Sequence, residues 1–193
     1  MNFRPIILAS IVTALASAAL ADGAVQKLIT PADQARLDQY DETRKAALEE
    51  ARNSGDPADL KQLDALLARP LVVFSDKNLT GNWRCRTIKV GGDFGALVLY
   101  DWFACKVTDD GSGWVLQKTG GSQRTKGRLY DDGEKRAIYL GSYFVNGDPV
   151  EPYGSGPKTD QVGYAFRTGG DAWRIEFPAP YRESRLDILE FRR

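Results

Sequence analysis

The side chains that could do chemistry in this sequence are carboxylates, guanidiniums and amines, because histidine is absent and sulfur occurs as a nucleophile only at Cys85 and Cys105. That removes the Ser-His and Cys-His pairs of nucleophilic catalysis and nearly all zinc and copper sites. No cofactor and no metal are therefore expected. Carboxylates crowd the last third of the chain, at Asp160, Glu176, Glu183, Asp187 and Glu190. Two of them held ~5–9 Å apart could act as acid and base on a glycosidic bond, whereas charges at alternating strand positions are ordinarily solvated. The run Gly121-Ser122-Gln123-Arg124-Thr125-Lys126-Gly127-Arg128 puts Arg124, Lys126 and Arg128 on one face of a strand. Such a stripe suits a carboxylate or phosphate through charge-assisted hydrogen bonds, or else forms a solvated exterior.

These groups need a scaffold, and the chain announces one in stages. Arg4, an apolar run over 6–20 and the small-x-small pattern Ala19-Leu20-Ala21 read as a signal peptide over 1–21. The run is shorter than the ~20 residues that span a bilayer as a helix. The expected mature chain starts near Asp22, lacks a membrane span and is periplasmic or secreted. With 26 Lys plus Arg against 26 Asp plus Glu, the chain has no general attraction to nucleic acid or anionic lipid. In an oxidising compartment two isolated cysteines are expected to pair, as Cys85–Cys105.

Residues 22–70 read as a helical hairpin. Thr30-Pro31-Ala32-Asp33 carries an N-cap, a proline at the first helical position and an acidic third residue; Leu37, Tyr40, Ala47 and Leu48 turn inward before a stop at Ser54-Gly55. Asp56-Pro57-Ala58-Asp59 repeats the start signal, and Leu60, Leu63, Leu66 and Leu67 form one stripe up to Pro70. Residues 71–193 switch to short β-branched and aromatic runs split by glycine turns, an antiparallel meander. Eight runs are expected, at 81–90, 96–107, 114–119, 123–131, 134–145, 161–168, 171–177 and 184–191, with 71–74 as an edge strand leading in.

Turn chemistry sets expected registers. Asp132-Gly133 and Gly169-Gly170 are two-residue hairpin signals. The second pairs Phe166 with Trp173, Tyr164 with Ile175 and Val162 with Phe177 on one buried face, leaving Arg167, Arg174 and Glu176 on the other. Cysteines placed directly opposite would pair Trp83 with Val107, Thr87 with Phe103, Lys89 with Asp101 and Arg84 with Lys106. Eight short strands most economically close into an up-and-down barrel, which removes exposed edges; a two-sheet sandwich is the alternative. The Pro- and Gly-rich connection over 146–160 is a surface loop or a lid.

Gly81-Asn82-Trp83 in the first strand, with Arg185 and Arg192 in the last, resembles lipocalin-like barrels, in which such a tryptophan plugs the floor and an arginine stacks on it. Across most of the chain after the leader the sequence is also similar to the bacterial family known as domain of unknown function 4893. The residues that carry this are Gly81-Asn82-Trp83-Arg84-Cys85-Arg86, Gly121-Ser122-Gln123-Arg124, Tyr139-Leu140-Gly141, Asp160-Gln161-Val162-Gly163 and Glu183-Ser184-Arg185-Leu186-Asp187. The resemblance implies export and this architecture, and no mechanism. Its polar motif residues, Arg86, Gln123, Arg124, Asp160, Gln161, Glu183 and Asp187, are the candidate site. The expected function is a non-catalytic binding or interaction module, whose partner is a small ligand or an envelope protein. One alternative is an inhibitor that presents the 146–160 loop, by architectural analogy with the small periplasmic barrels that block lysozymes; another is a carboxylate-based hydrolase.

Overall fold

A computed structural model of the protein describes residues 25–193, so the expected leader over 1–21 lies outside the described residues. Three helices come first: α1 (Pro31–Asp38), α2 (Tyr40–Ser54) and α3 (Pro57–Leu67). The Thr30 hydroxyl accepts from the Asp33 N–H, and an Asp56 carboxylate oxygen accepts from the N–H groups of Ala58 and Asp59, so both expected caps form. One difference appears at Gln39, where the backbone leaves helical geometry (φ −94°, ψ 7°) and divides the expected first helix into α1 and α2.

Nine strands follow: β1 (Gly81–Val90), β2 (Leu97–Leu99), β3 (Phe103–Asp109), β4 (Trp114–Lys118), β5 (Gln123–Asp131), β6 (Ala137–Val145), β7 (Asp160–Arg167), β8 (Ala172–Pro178) and β9 (Leu186–Arg192). All pairings are antiparallel, and β9 returns to β1, so eight strands close a barrel while β2 adds an extra short strand beside the end of β1. Closure leaves no sandwich and settles the edge problem that an open meander would carry.

Three register expectations are corrected. The expected 96–107 strand breaks at 100–102, where one extra residue shifts the pairing from Ile88↔Leu99 in β2 to Cys85↔Phe103 in β3. The cysteines are therefore diagonal neighbours on the inner face, not directly opposite. Cys105 faces Trp83, the Cα atoms are 5.9 Å apart, and the disulfide forms. Val107 faces Gly81, Lys106 faces Asn82, and Lys89 stands between Val98 and Asp187. At Gly169-Gly170 the turn holds three residues, closed by the Thr168 N–H on the Ala172 carbonyl, which pairs Phe166 with Arg174 and Tyr164 with Glu176. The turn at Asp132-Gly133 is also longer than two residues, closed by the Asp132 N–H on the Arg136 carbonyl. The expected 71–74 edge strand is reduced to a single bridge, Val72 to Arg167.

Inside the barrel, one end is apolar: Trp83, Val107, Leu116, Leu129, Trp173 and Phe191 pack with Phe74 and Leu79 from the segment before β1. The Trp83 indole donates to the Leu79 carbonyl, and Arg193 stacks 4.0 Å from its ring centroid. Arg193 thus takes the closing role that the lipocalin resemblance assigns to Arg185 or Arg192; Arg185 pairs with Glu50, and Arg192 lies over Trp102. Midway along, the Tyr139 ring lies across Gly127 and Gly141, which face each other on β5 and β6; a Cβ on either would run into it. Outside, α2 and α3 bury Ala47, Leu48, Ala51, Leu63 and Leu66 against Ile88, Val90, Leu186 and Ile188 of β1 and β9. Leu37 of α1 packs on Ile138, Leu140 and Val162.

Candidate functional site

Beyond Tyr139 the interior turns polar. Inward-facing positions of β1, β4, β5, β7 and β9 there hold Thr87, Lys89, Lys118, Gln123, Thr125, Gln161 and Asp187, which line a cavity of about 70 Å³ at the open end of the barrel. That is roughly five waters' worth of space, far below the volume of a drug-sized ligand. Phe177 and Leu189 complete the lining on the apolar side, and the Thr125 hydroxyl sits 2.6 Å from the Tyr139 hydroxyl at its base.

Two lysines dominate the electrostatics. The buried Lys89 ammonium lies 2.9 Å from Glu183 and 3.7 Å from Asp187. Burial works against its charge, but these two carboxylates outweigh it and hold Lys89 above the ordinary lysine range. The hydrogen bond from Lys89 keeps Glu183 low, whereas burial lifts Asp187 in spite of Lys89 and the Ser184 hydroxyl. Lys118, also buried, donates to the Gln123 carbonyl at 2.8 Å and lies 4.9 Å from the centroid of the Phe103 ring. Among the described residues no carboxylate lies within ion-pair distance of it. Burial, reinforced by the charges of Lys89 and Arg124, pushes Lys118 down to about 8. The Gln161 amide oxygen is buried there without a hydrogen-bond partner, and rotating the amide would offer N–H groups instead.

The mouth is cationic: Arg36, Arg124, Lys158 and Arg182 surround it. The loop between β8 and β9 forms one side, and Ala179 (φ 43°) and Glu183 (φ 72°) both take left-handed backbone there, a strain for residues with a Cβ. This loop packs so closely on Gly92 (φ 101°) that a Cβ there would meet the backbone of Glu183 and Ser184. On the other side the 146–160 connection is tied down. Asp160 accepts from the Gly154 and Gly156 N–H groups, and Tyr153 donates to Asp33 while accepting from the Thr30 N–H. It is therefore an anchored wall.

Of the candidate residues, Gln123, Arg124, Asp160, Gln161 and Asp187 line this cavity, and Glu183 reaches its edge through Lys89. Asp160 contributes mainly through the loop it caps. Arg86 is elsewhere: it faces outward from β1, pairs with Glu190 at 2.7 Å and donates to Gln62 of α3. Glu176 and Glu190 are likewise outward, under the helices, bound to Arg44 with Arg174 and to Arg69 with Arg86. Of the Arg124-Lys126-Arg128 stripe only Arg124 reaches the cavity; Lys126 and Arg128 do not line it, and Arg128 pairs with Asp110. Sequence reasoning missed Lys89 and Lys118. Strand phase would have found both, since Lys89 is in step with Trp83 and Cys85, and Lys118 with Leu116.

The family described as a domain of unknown function (DUF4893) matches residues 25–191. The chain belongs to this family. No curated protein and no solved structure matches it. Family membership supplies no ligand, so the chemistry rests on the cavity. Among the described residues no group of three or more Cys, Asp or Glu side chains is placed to hold a metal ion, and no helix is long and apolar enough to cross a membrane.

Proposed function

We propose that this protein is an envelope binding module that captures a small anion, a carboxylate or a phosphate, in the open end of its barrel. The observation that carries this is Lys118, a buried ammonium with no carboxylate within ion-pair distance among the described residues, opening on a cavity ringed by Arg124, Lys158 and Arg182. A small anion would supply the missing counter-charge, and a buried charge-assisted hydrogen bond is among the strongest available to a protein. The unpartnered Gln161 amide adds a neutral contact. Export is part of the proposal: the leader-like opening and a disulfide in the barrel wall both suit an oxidising compartment. N-terminal sequencing of the chain from a fractionated host checks it, and a retained leader in the cytoplasmic fraction would reject it.

The test of the site is thermal unfolding at pH 7 in inorganic phosphate or acetate against chloride at equal ionic strength. Binding should raise the midpoint by about 2–4 °C for each 1 kcal/mol of linkage, and Lys118→Met should abolish the rise. Equal midpoints in all three salts would sink the reading.

Neither alternative gains comparable support. For the hydrolase reading, the Lys89 ammonium binds both Glu183 and Asp187, and Asp160 is engaged by the Gly154 and Gly156 N–H groups. For the inhibitor reading, Asp160 and Tyr153 hold the 146–160 loop in place, which suits a wall of the cavity as well as a presented loop, so it adds nothing specific.

A further inference from the structure

We propose that Lys118 is a reactive amine that forms a reversible imine with a small 2-oxo carboxylate held in the barrel mouth. This rests on the anion-site reading above and extends it from a charge to a reaction. The two lysines of the cavity are differently equipped. Lys89 is locked as an ammonium between Glu183 and Asp187, whereas Lys118 has, among the described residues, the Gln123 carbonyl and the Phe103 ring face. The space available takes about five or six non-hydrogen atoms, the size of glyoxylate or pyruvate. The carboxylate of such a ligand meets the cationic rim of Arg124, Lys158 and Arg182 while its carbonyl carbon points inward to the amine.

The chemistry balances without an oxidant or a reductant. The Lys118 lone pair attacks the carbonyl carbon, a C–N bond forms, and the C=O π pair moves to oxygen. Proton transfer from nitrogen to oxygen gives a carbinolamine. That hydroxyl then takes a proton and leaves as water, while the nitrogen lone pair closes the C=N bond. Asp187, in the same cavity and lifted by burial above the ordinary carboxylate range, is placed to pass that proton. With Lys118 near 8, roughly a tenth of it is unprotonated at pH 7, against roughly one in three thousand for an ordinary lysine. A buried amine with a lowered pKa is the usual form of an imine-forming lysine. The competing account is structural: the bond from Lys118 to the Gln123 carbonyl closes the turn between β4 and β5.

The full chain is incubated at pH 7 with glyoxylate or pyruvate and sodium cyanoborohydride, and the modified lysines are mapped by peptide mass spectrometry. The reduced adduct should accumulate on Lys118 at least about tenfold faster than on any other lysine, with Lys89 unmodified, and Lys118→Arg should lose it. In parallel, thermal unfolding is followed with pyruvate and with lactate, which has the same charge but a hydroxyl in place of the 2-oxo group. A midpoint raised by both anions with no adduct, or with adducts spread over exposed lysines, overturns the imine and leaves the anion site standing. No response to either anion, with Lys118 still selectively labelled, overturns the anion site and keeps the reactive amine. No response and no selective label overturn both.

Discussion

Lys89 and Lys118 show how the same side chain, buried in the same cavity, is driven to opposite ends of its range by what stands beside it. Glu183 and Asp187 hold the first charged, and burial beside two cations weakens the charge on the second. The direction of the resulting pH effect follows. Lys118 has a folded pKa of about 8 against an unfolded 10.5, so between these values the unfolded chain binds the extra proton and stability rises with pH, levelling off above about 10.5. Below about 8 the full cost of keeping Lys118 charged is present. Lys118→Met should therefore stabilise the protein at pH 7 by about 1–3 kcal/mol and flatten the rise between pH 8 and 10. Urea unfolding at a series of pH values reads both effects. Anion affinity should move the other way, weakening as pH passes about 8; the other charges facing the site are Lys89, Arg36, Arg124, Lys158, Arg182, Asp160 and Asp187, with Glu183 at its edge.

At the scale of elements, β7 and β8 explain why one register was misjudged. Val162 and Phe166 are indeed buried and Tyr164 half-buried, but outward against the helices, with Tyr40 of α2 edge-on to Tyr164 at 4.9 Å. Trp173, Ile175 and Phe177 point into the barrel instead. With both faces covered, apolar alternation no longer distinguishes one register from its neighbour. The third residue of the Gly169-Gly170 turn decided it. The outward position so created holds Glu176, fully buried and bound by Arg174, Arg44 and the Tyr40 hydroxyl. Burial opposes its charge, but the two arginines keep it below the ordinary carboxylate range. Glu176→Ala leaves Arg174 buried and uncompensated and should cost about 3–5 kcal/mol, whereas Tyr40→Phe removes one hydrogen bond and should cost about 1–2 kcal/mol. Guanidinium unfolding of the two variants measures the difference; equal losses would mean that the ion pairs do not hold the helices to the barrel.

For the molecule as a whole, the barrel is closed by β9 returning to β1 through seven residue pairs, and the disulfide ties β1 to its other neighbour, β3. The bridged cysteines are 20 residues apart, for which loop-closure entropy gives a stabilisation of about 3 kcal/mol. Reduction, or replacement of both cysteines by alanine, should lower the unfolding free energy by about that amount while preserving far-UV circular dichroism in the absence of denaturant. A loss under 1 kcal/mol would show that the barrel closure alone sets the stability.

What the amino-acid sequence determined by itself was everything that depends on neighbours a few residues away. The Thr30 and Asp56 caps, the positions of the turns and the eight strands of the barrel all follow from local backbone preference, and the absence of histidine limits the chemistry before any fold is known. Gln123, Arg124, Gln161 and Asp187 were legible as motif residues and do line one cavity; Arg86 was not separable from them, because only its outward phase beside Cys85 sends it under the helices. The tertiary structure alone decided the registers, the inner or outer address of each polar side chain and the meeting of Lys89 with Asp187. These depend on one extra residue in a turn, on helices that cover the outside of the wall, and on a closing pair of strands about a hundred residues apart, none of which a local pattern encodes.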